Sequence, residues 1–356
     1  MAVLTEEQTM LQDQARSWSR EEAPVEKFRE MRNSGTENGF TEATWTEMAA
    51  MGWAGILIPE SLGGSGMDYA TFGVVLEETG RTLVASPLFA SALVGTSALL
   101  LGGSEAQKQD WLPGIAAGTS IITLAVDEHP HHAPEQTALL AARSGEGFAL
   151  NGRKVFVFEG ASADVFVVAA RTSGSPGDTN GITLLLVPAD APGVTISRLH
   201  TADSRGYANV VFADVEVGAD AVIGKVDQGF GLLDAVLDRA RAGLAAEMLG
   251  TASEAFDRTL EYLKTRVQFD QVIGSFQSLG HRAATLFMER EFARSCVEAA
   301  LRAIDEGSPD VAQLCSLAKC QAGEFLHNMS NDMIQMHGGI GMTDEFDAGF
   351  FLKRAR

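Results

Sequence analysis

Hydrophobic periodicity switches twice along this chain, and those two switches narrow its possible folds more than any single motif does. From residue 5 to about 118 apolar residues recur at helical spacing, as in Met10-Leu11-Ala15-Trp18 and Trp45-Met48-Ala49-Trp53. Between about 121 and 225 the texture becomes short Val-, Ile- and Phe-rich runs, ITLAV, KVFVF, DVFVVAA, GITLLLV and NVVFADVEV. Turn chemistry separates them at Asn151-Gly152, Gly174-Ser175-Pro176-Gly177-Asp178 and Asn180-Gly181. From Gly229 onward long Ala-, Leu-, Glu- and Arg-rich windows return to the helical period. Helices, then a sheet, then helices predict an α+β chain with domains at 1–120, 121–225 and 226–356, and argue against an alternating parallel-sheet fold.

Charge excludes one class of function. The 356 residues carry 27 basic and 47 acidic side chains, a net charge of −20, so nucleic acid would be repelled. Cys296, Cys315 and Cys320 form no C-x-x-C pair, which suits a reducing cytoplasm. The N-terminus has acids where a secretory leader needs a basic head, so no export is expected. Residues 82–104 carry no charge, but Pro87, Gly95, Gly102 and Gly103 break the run, which reads as buried helices and not as a stable membrane insertion.

The sequence has no G-x-S-x-G elbow, Walker phosphate loop, H-E-x-x-H or G-x-G-x-x-G after a strand, so hydrolase, kinase and Rossmann readings lose most of their support. Asp127-Glu128-His129-Pro130-His131-His132 reads as a solvated loop, and no metal is expected. Two Gly-rich segments each have a structural and a functional explanation: the interhelical turn Pro59–Gly66, and Gln335–Gly341 at a helix end. Arg266–Gln277 combines a guanidinium, an aromatic face and amides, a set suited to a phosphate and a planar ring.

In this order, PESLGGSG, EETGR, LNGRKVFVFEGASADVFVVAAR, FADVEV, RVQFDQVIGSFQ and QMHGGIGMTDEF resemble the acyl-CoA dehydrogenase family over nearly the whole chain. The resemblance implies a helical N-domain, a β-barrel-like middle domain and a C-terminal four-helix bundle, in dimers or tetramers around FAD. It implies a carboxylate that takes the α-proton of an acyl-CoA while the β-hydride passes to flavin N5. By the same resemblance Arg266, Phe269, Gln277, Gln335, Gly338 and Gly339 match positions that clamp the adenosine diphosphate end of an FAD seated mainly in a neighbouring subunit. Asp270 stands where glycine is usual.

The flavin-ring half departs from the family. Its Thr-Glu-Pro loop reads Val126-Asp127-Glu128-His129-Pro130, and Phe156 and Phe158 occupy the cofactor-facing positions of its Trp-x-Thr. An acid and a phenyl ring do not replace hydroxyl donors; Phe158 filling the ring slot and backbone amides alone holding a flavin are both open. One usual position of the catalytic carboxylate lies beyond Arg356, and another is matched by Ala240. Glu247, two helical turns on from Ala240 in the apolar run Leu244-Ala245-Ala246-Met248, is the candidate base, against a bland alternative of pairing with Arg239 or Arg241. Three functions follow: an acyl-CoA dehydrogenase, a weakly active or inactive partner subunit lending its clamp to a related flavin-binding chain in a hetero-oligomer, or a flavin oxidase or monooxygenase on the same fold.

Overall fold

Side-chain caps start three of the N-terminal helices. In the computed structural model, which describes residues 4–356, the N-terminal helices are α1 (Glu6–Glu21), α2 (Val25–Ser34), α3 (Glu42–Ala50), α4 (Tyr69–Arg81), α5 (Thr96–Gly102) and α6 (Glu105–Ala116). Thr5 and Gln8 form a reciprocal capping box on α1, Ser104 and Gln107 repeat it on α6, and the Asp68 carboxylate accepts the Thr71 N–H of α4. The uncharged stretch folds into a π-helical run, Leu88–Gly95, followed directly by α5. All eight residues of that run are buried, and among the described residues no helix is long and apolar enough to cross a membrane.

The middle segment forms one mixed sheet from β1 (Ile122–Ala125), β2 (Leu140–Ser144), β3 (Gly147–Val157), β4 (Val165–Arg171), β5 (Ile182–Pro188), β6 (Val194–Arg198), β7 (Ala208–Val217) and β8 (Val222–Ile223). The order is β6-β7-β3-β2-β4-β5-β8, with β1 pairing parallel to β4. Every residue of β4 is buried, as its unbroken apolar run requires, and Phe148, Leu150, Phe166, Leu185, Val210 and Phe212 form the core beneath it.

The structure corrects one turn. Asn151-Gly152 lies inside β3, where Gly152 at φ +147° marks a register shift against β7. Asn151 holds the bulge by exchanging side-chain hydrogen bonds with Asp214, itself at φ +51°.

The C-terminal segment contains α7 (Phe230–Thr265), the hairpin β9 (Val267–Gln268) and β10 (Gln271–Val272), α8 (Gln277–Asp305), α9 (Val311–His337) and α10 (Ala348–Ala355). By compactness the chain divides into a helical unit, running through Glu30 and over 68–84 and 241–356, and a sheet unit of 31–67 and 85–240. Helix and strand change over near residues 120 and 225 as the periodicity predicts, yet α1 and α4 group with the C-terminal helices. Glycine allows that grouping: a Cβ on Gly80 would lie 2.2 Å from the Glu247 carbonyl oxygen, and one on Gly250 would lie 1.8 Å from that of Glu77. The EETGR motif is consumed by the same packing, with Glu77 paired to Arg294, Glu78 to Arg16 and Arg81 to Asp257.

Candidate functional site

In the helical unit each clamp segment follows or ends a long helix, and the two helices touch beside them. Tyr262, on the last turn but one of α7, stacks on His337, the last residue of α9, with ring centroids 4.3 Å apart. Phe346 covers the other side of the imidazole at 4.7 Å. His337 is buried and its Nδ1–H donates to the Met333 carbonyl. Burial pushes the imidazole below its ordinary value, against the opposing pull of that carbonyl.

Around this stack the matched residues all face solvent. Arg266 follows α7, its guanidinium exposed and making no hydrogen bond or ion pair among the described residues. Phe269 and Asp270 form the hairpin tip at φ +53° and +61°, the left-handed pair that asparagine and glycine normally supply. Each such L-residue costs about 1–2 kcal/mol, and Phe269 remains 84% exposed. Its ring touches Phe276 edge-on, linking the tip to Gln277, the exposed first residue of α8.

Gln335 is exposed on the last turn of α9. Gly338 needs its glycine, with φ +65°, whereas Gly339 has no positive φ and no heavy atom within 4 Å of where a Cβ would stand. The packing therefore gives no reason for glycine at 339, and its backbone is open to approach. A free guanidinium beside a helix N-terminus suits a pyrophosphate; an exposed ring, two amides and open backbone suit the adenosine. The adenosine diphosphate half of FAD fits these residues.

The flavin-ring half of the site would fall in the sheet unit, where the loop after β1 is pinned by a buried lysine. Lys154 Nζ donates to the Val126 carbonyl and to Glu128, both at 2.7 Å, and Glu128 also accepts the Ala138 and Leu139 N–H groups. Burial pushes Lys154 down to about 8 against the pull of Glu128. The sequence reading passed over this lysine, although its place after Asn151-Gly152 was the available signal. Asp127 is engaged by His132 at 2.9 Å, and among the described residues no cluster of His, Cys, Asp and Glu is able to hold a metal ion.

At the end of β3, Phe156 is exposed at φ +50°, and the Phe158 ring packs into its own unit. Thr123 gives its hydroxyl to the Phe158 carbonyl at 2.6 Å. Neither matched position offers a hydroxyl to a flavin ring.

Glu247 is buried on α7, and its carboxylate meets Arg354 of α10 at 3.2 Å. Arg354 also donates to the Leu83 carbonyl, and the Glu247 carbonyl accepts the Thr251 hydroxyl. Sequence distance hid that ion pair, which spans 107 residues.

Comparison with known proteins shows the family. Family models for the N-terminal, middle and C-terminal domains of acyl-CoA dehydrogenases match residues 5–119, 131–215 and 227–356. The chain is 31% identical to a probable acyl-CoA dehydrogenase, YngJ, of Bacillus subtilis, over 99% of this chain and 93% of that one. The solved butyryl-CoA dehydrogenase of Megasphaera elsdenii superposes with a TM-score of 0.92 at 27% identity, covering 100% of this chain and 94% of that one. The ChsE4-ChsE5 complex of Mycobacterium tuberculosis gives 0.89 at 27% identity, covering 100% and 93%.

Proposed function

Because the chain belongs to the acyl-CoA dehydrogenase family, we propose that it serves FAD-dependent α,β-dehydrogenation of an acyl-CoA thioester as one subunit of an assembly. A related chain would seat the flavin ring, and this chain would grip the nucleotide tail. The asymmetry between the two halves carries the reading: the clamp residues are exposed and the Arg266 guanidinium makes no hydrogen bond or ion pair among the described residues, while the ring-side positions carry no hydroxyl donor.

FAD, when bound, accepts the β-hydride of the substrate at N5. This chain's contribution is binding. Arg266 and the start of α8 would meet the pyrophosphate, Phe269 would lie against the adenine, and Gln277, Gln335 and the open backbone at Gly338-Gly339 would orient the ribose side. Glu247 is the chain's own candidate for accepting the α-proton, and its pairing with Arg354 favours a structural acid instead. On this reading the base comes from the related chain. The ChsE4-ChsE5 structure, a complex of two named components, favours a hetero-oligomer over a homodimer or homotetramer. All three cysteines are free thiols, in keeping with a cytoplasmic location.

The visible spectrum tests the reading. The chain purified alone should be colourless, and co-purified with a related chain that carries Thr-Glu-Pro and Trp-x-Thr it should be yellow. Arg266→Ala in the assembly should then release FAD on desalting. A yellow chain on its own, bleached anaerobically by an acyl-CoA, would make it a self-sufficient dehydrogenase.

A further inference from the structure

At the corner that ends β3 the half-buried Phe158 ring is packed by three neighbouring side chains. The Phe158 ring meets Phe89 of the π-helical run edge-on at 5.0 Å and Tyr207 edge-on at 4.9 Å. The Arg205 guanidinium stands 4.8 Å from its centroid. Arg205 is almost fully buried and fixed by Glu159 at 2.8 Å and by the Ser86 carbonyl. Edge-on aromatic pairs and a desolvated cation over a ring each add stability beyond burial alone. The backbone is bent to make the arrangement, with Phe156 and Glu159 on either side of the 157–158 dipeptide at φ +50° and +51°. Such strain persists only where surrounding packing holds it.

We propose that Phe158 is the residue that denies this chain a flavin ring of its own: its phenyl, locked between Phe89, Tyr207 and Arg205, takes the volume the ring would need. The inference rests on the family reading, which matches position 158 to a hydroxyl donor. It goes further in assigning the exclusion to a single packed side chain and not to the missing hydroxyls alone. Glu159 and Arg205 neutralise each other beneath the stack, so removing the phenyl opens space without exposing an unpaired charge.

Riboflavin, which carries the ring without the adenosine diphosphate, is the probe for this corner, and ADP is the probe for the clamp. Quenching of riboflavin fluorescence by the purified chain should be negligible for wild type. It should appear for Phe158→Thr and for Phe89→Ala, which enlarges the same corner from the π-helical run, each with affinity at least about tenfold higher. Circular dichroism establishes that the variants are folded, and the two substitutions lie on different elements, so a folding failure of one leaves the other. Wild-type binding as tight as that of the variants, weaker binding by Phe158→Thr, or no gain by any folded variant overturns the proposal. ADP calorimetry separates this from the clamp: ADP binding unchanged by Phe158→Thr and lost in Arg266→Ala is expected, whereas no ADP binding to wild type counts against the nucleotide-gripping role alone.

Discussion

Replacing Lys154 by methionine removes a fully buried ammonium and leaves the carboxylate it neutralised. Glu128 keeps two backbone N–H donors, and its side chain is 10% exposed. Breaking a buried ion pair from one side costs about 3–5 kcal/mol; with those remaining donors the lower end applies, about a hundredfold in the opening equilibrium. The damage should centre on the loop after β1, because Lys154 also ties down the Val126 carbonyl. Hydrogen exchange read by mass spectrometry should show the Ala138, Leu139 and Val155 amides exchanging about a hundredfold faster. Glu128→Gln should be milder, since an ammonium already held down to about 8 sheds its proton readily. The double variant Lys154→Met/Glu128→Gln should recover at least half the loss.

The pH dependence has a definite sign. The unfolded lysine titrates at 10.5 and the folded one at about 8, so the unfolded chain binds more protons between those values. Stability therefore rises across that window, by about 3 kcal/mol for this group, and Lys154→Met removes the rise. A single variant within about 0.5 kcal/mol of wild type, or a double variant no better than the single, would refute the reasoning.

The remaining predictions concern the helical unit. Gly250→Ala drives a methyl into the Glu77 carbonyl and should destabilise the chain by about 1–3 kcal/mol in urea unfolding. His337 is held below its ordinary 6.5, so the unfolded state binds its proton first and stability should fall as pH drops below 6.5; His337→Phe should keep the stack and flatten that dependence. Glu247→Gln in the assembled enzyme should leave kcat within about tenfold of wild type, and a fall of about a thousandfold or more at unchanged KM and thermal stability would make Glu247 the base.

What the sequence made legible follows the range of the interactions involved. The helix–sheet–helix order was readable because periodicity is local. The clamp was readable because its residues lie in two short segments, each a local pattern. Asn151-Gly152 misled because the same dipeptide that makes a hairpin turn also makes a bulge, and only the partner strand β7 decides between them. The Glu247–Arg354 pair, the grouping of α1 and α4 with the C-terminal helices, and the Tyr262–His337 stack depend on contacts distant in sequence. Periodicity places residues on a helix face and is silent about what that face meets.

The two halves of the site should also change by different rules. A clamp residue on the surface leaves no vacancy when its ligand is lost, so Phe269 and Asp270 would relax toward residues that suit their left-handed conformation. Both hold a conformation that asparagine and glycine would adopt at lower cost. A buried ring pocket cannot stay empty so cheaply, since unfilled apolar volume costs about 24 cal/mol per Å³. In this chain the Phe158 ring packs against Phe89, Tyr207 and an arginine neutralised by Glu159. A strained, exposed clamp beside a packed, half-buried Phe158 is the arrangement that the proposed division of one cofactor between two chains requires.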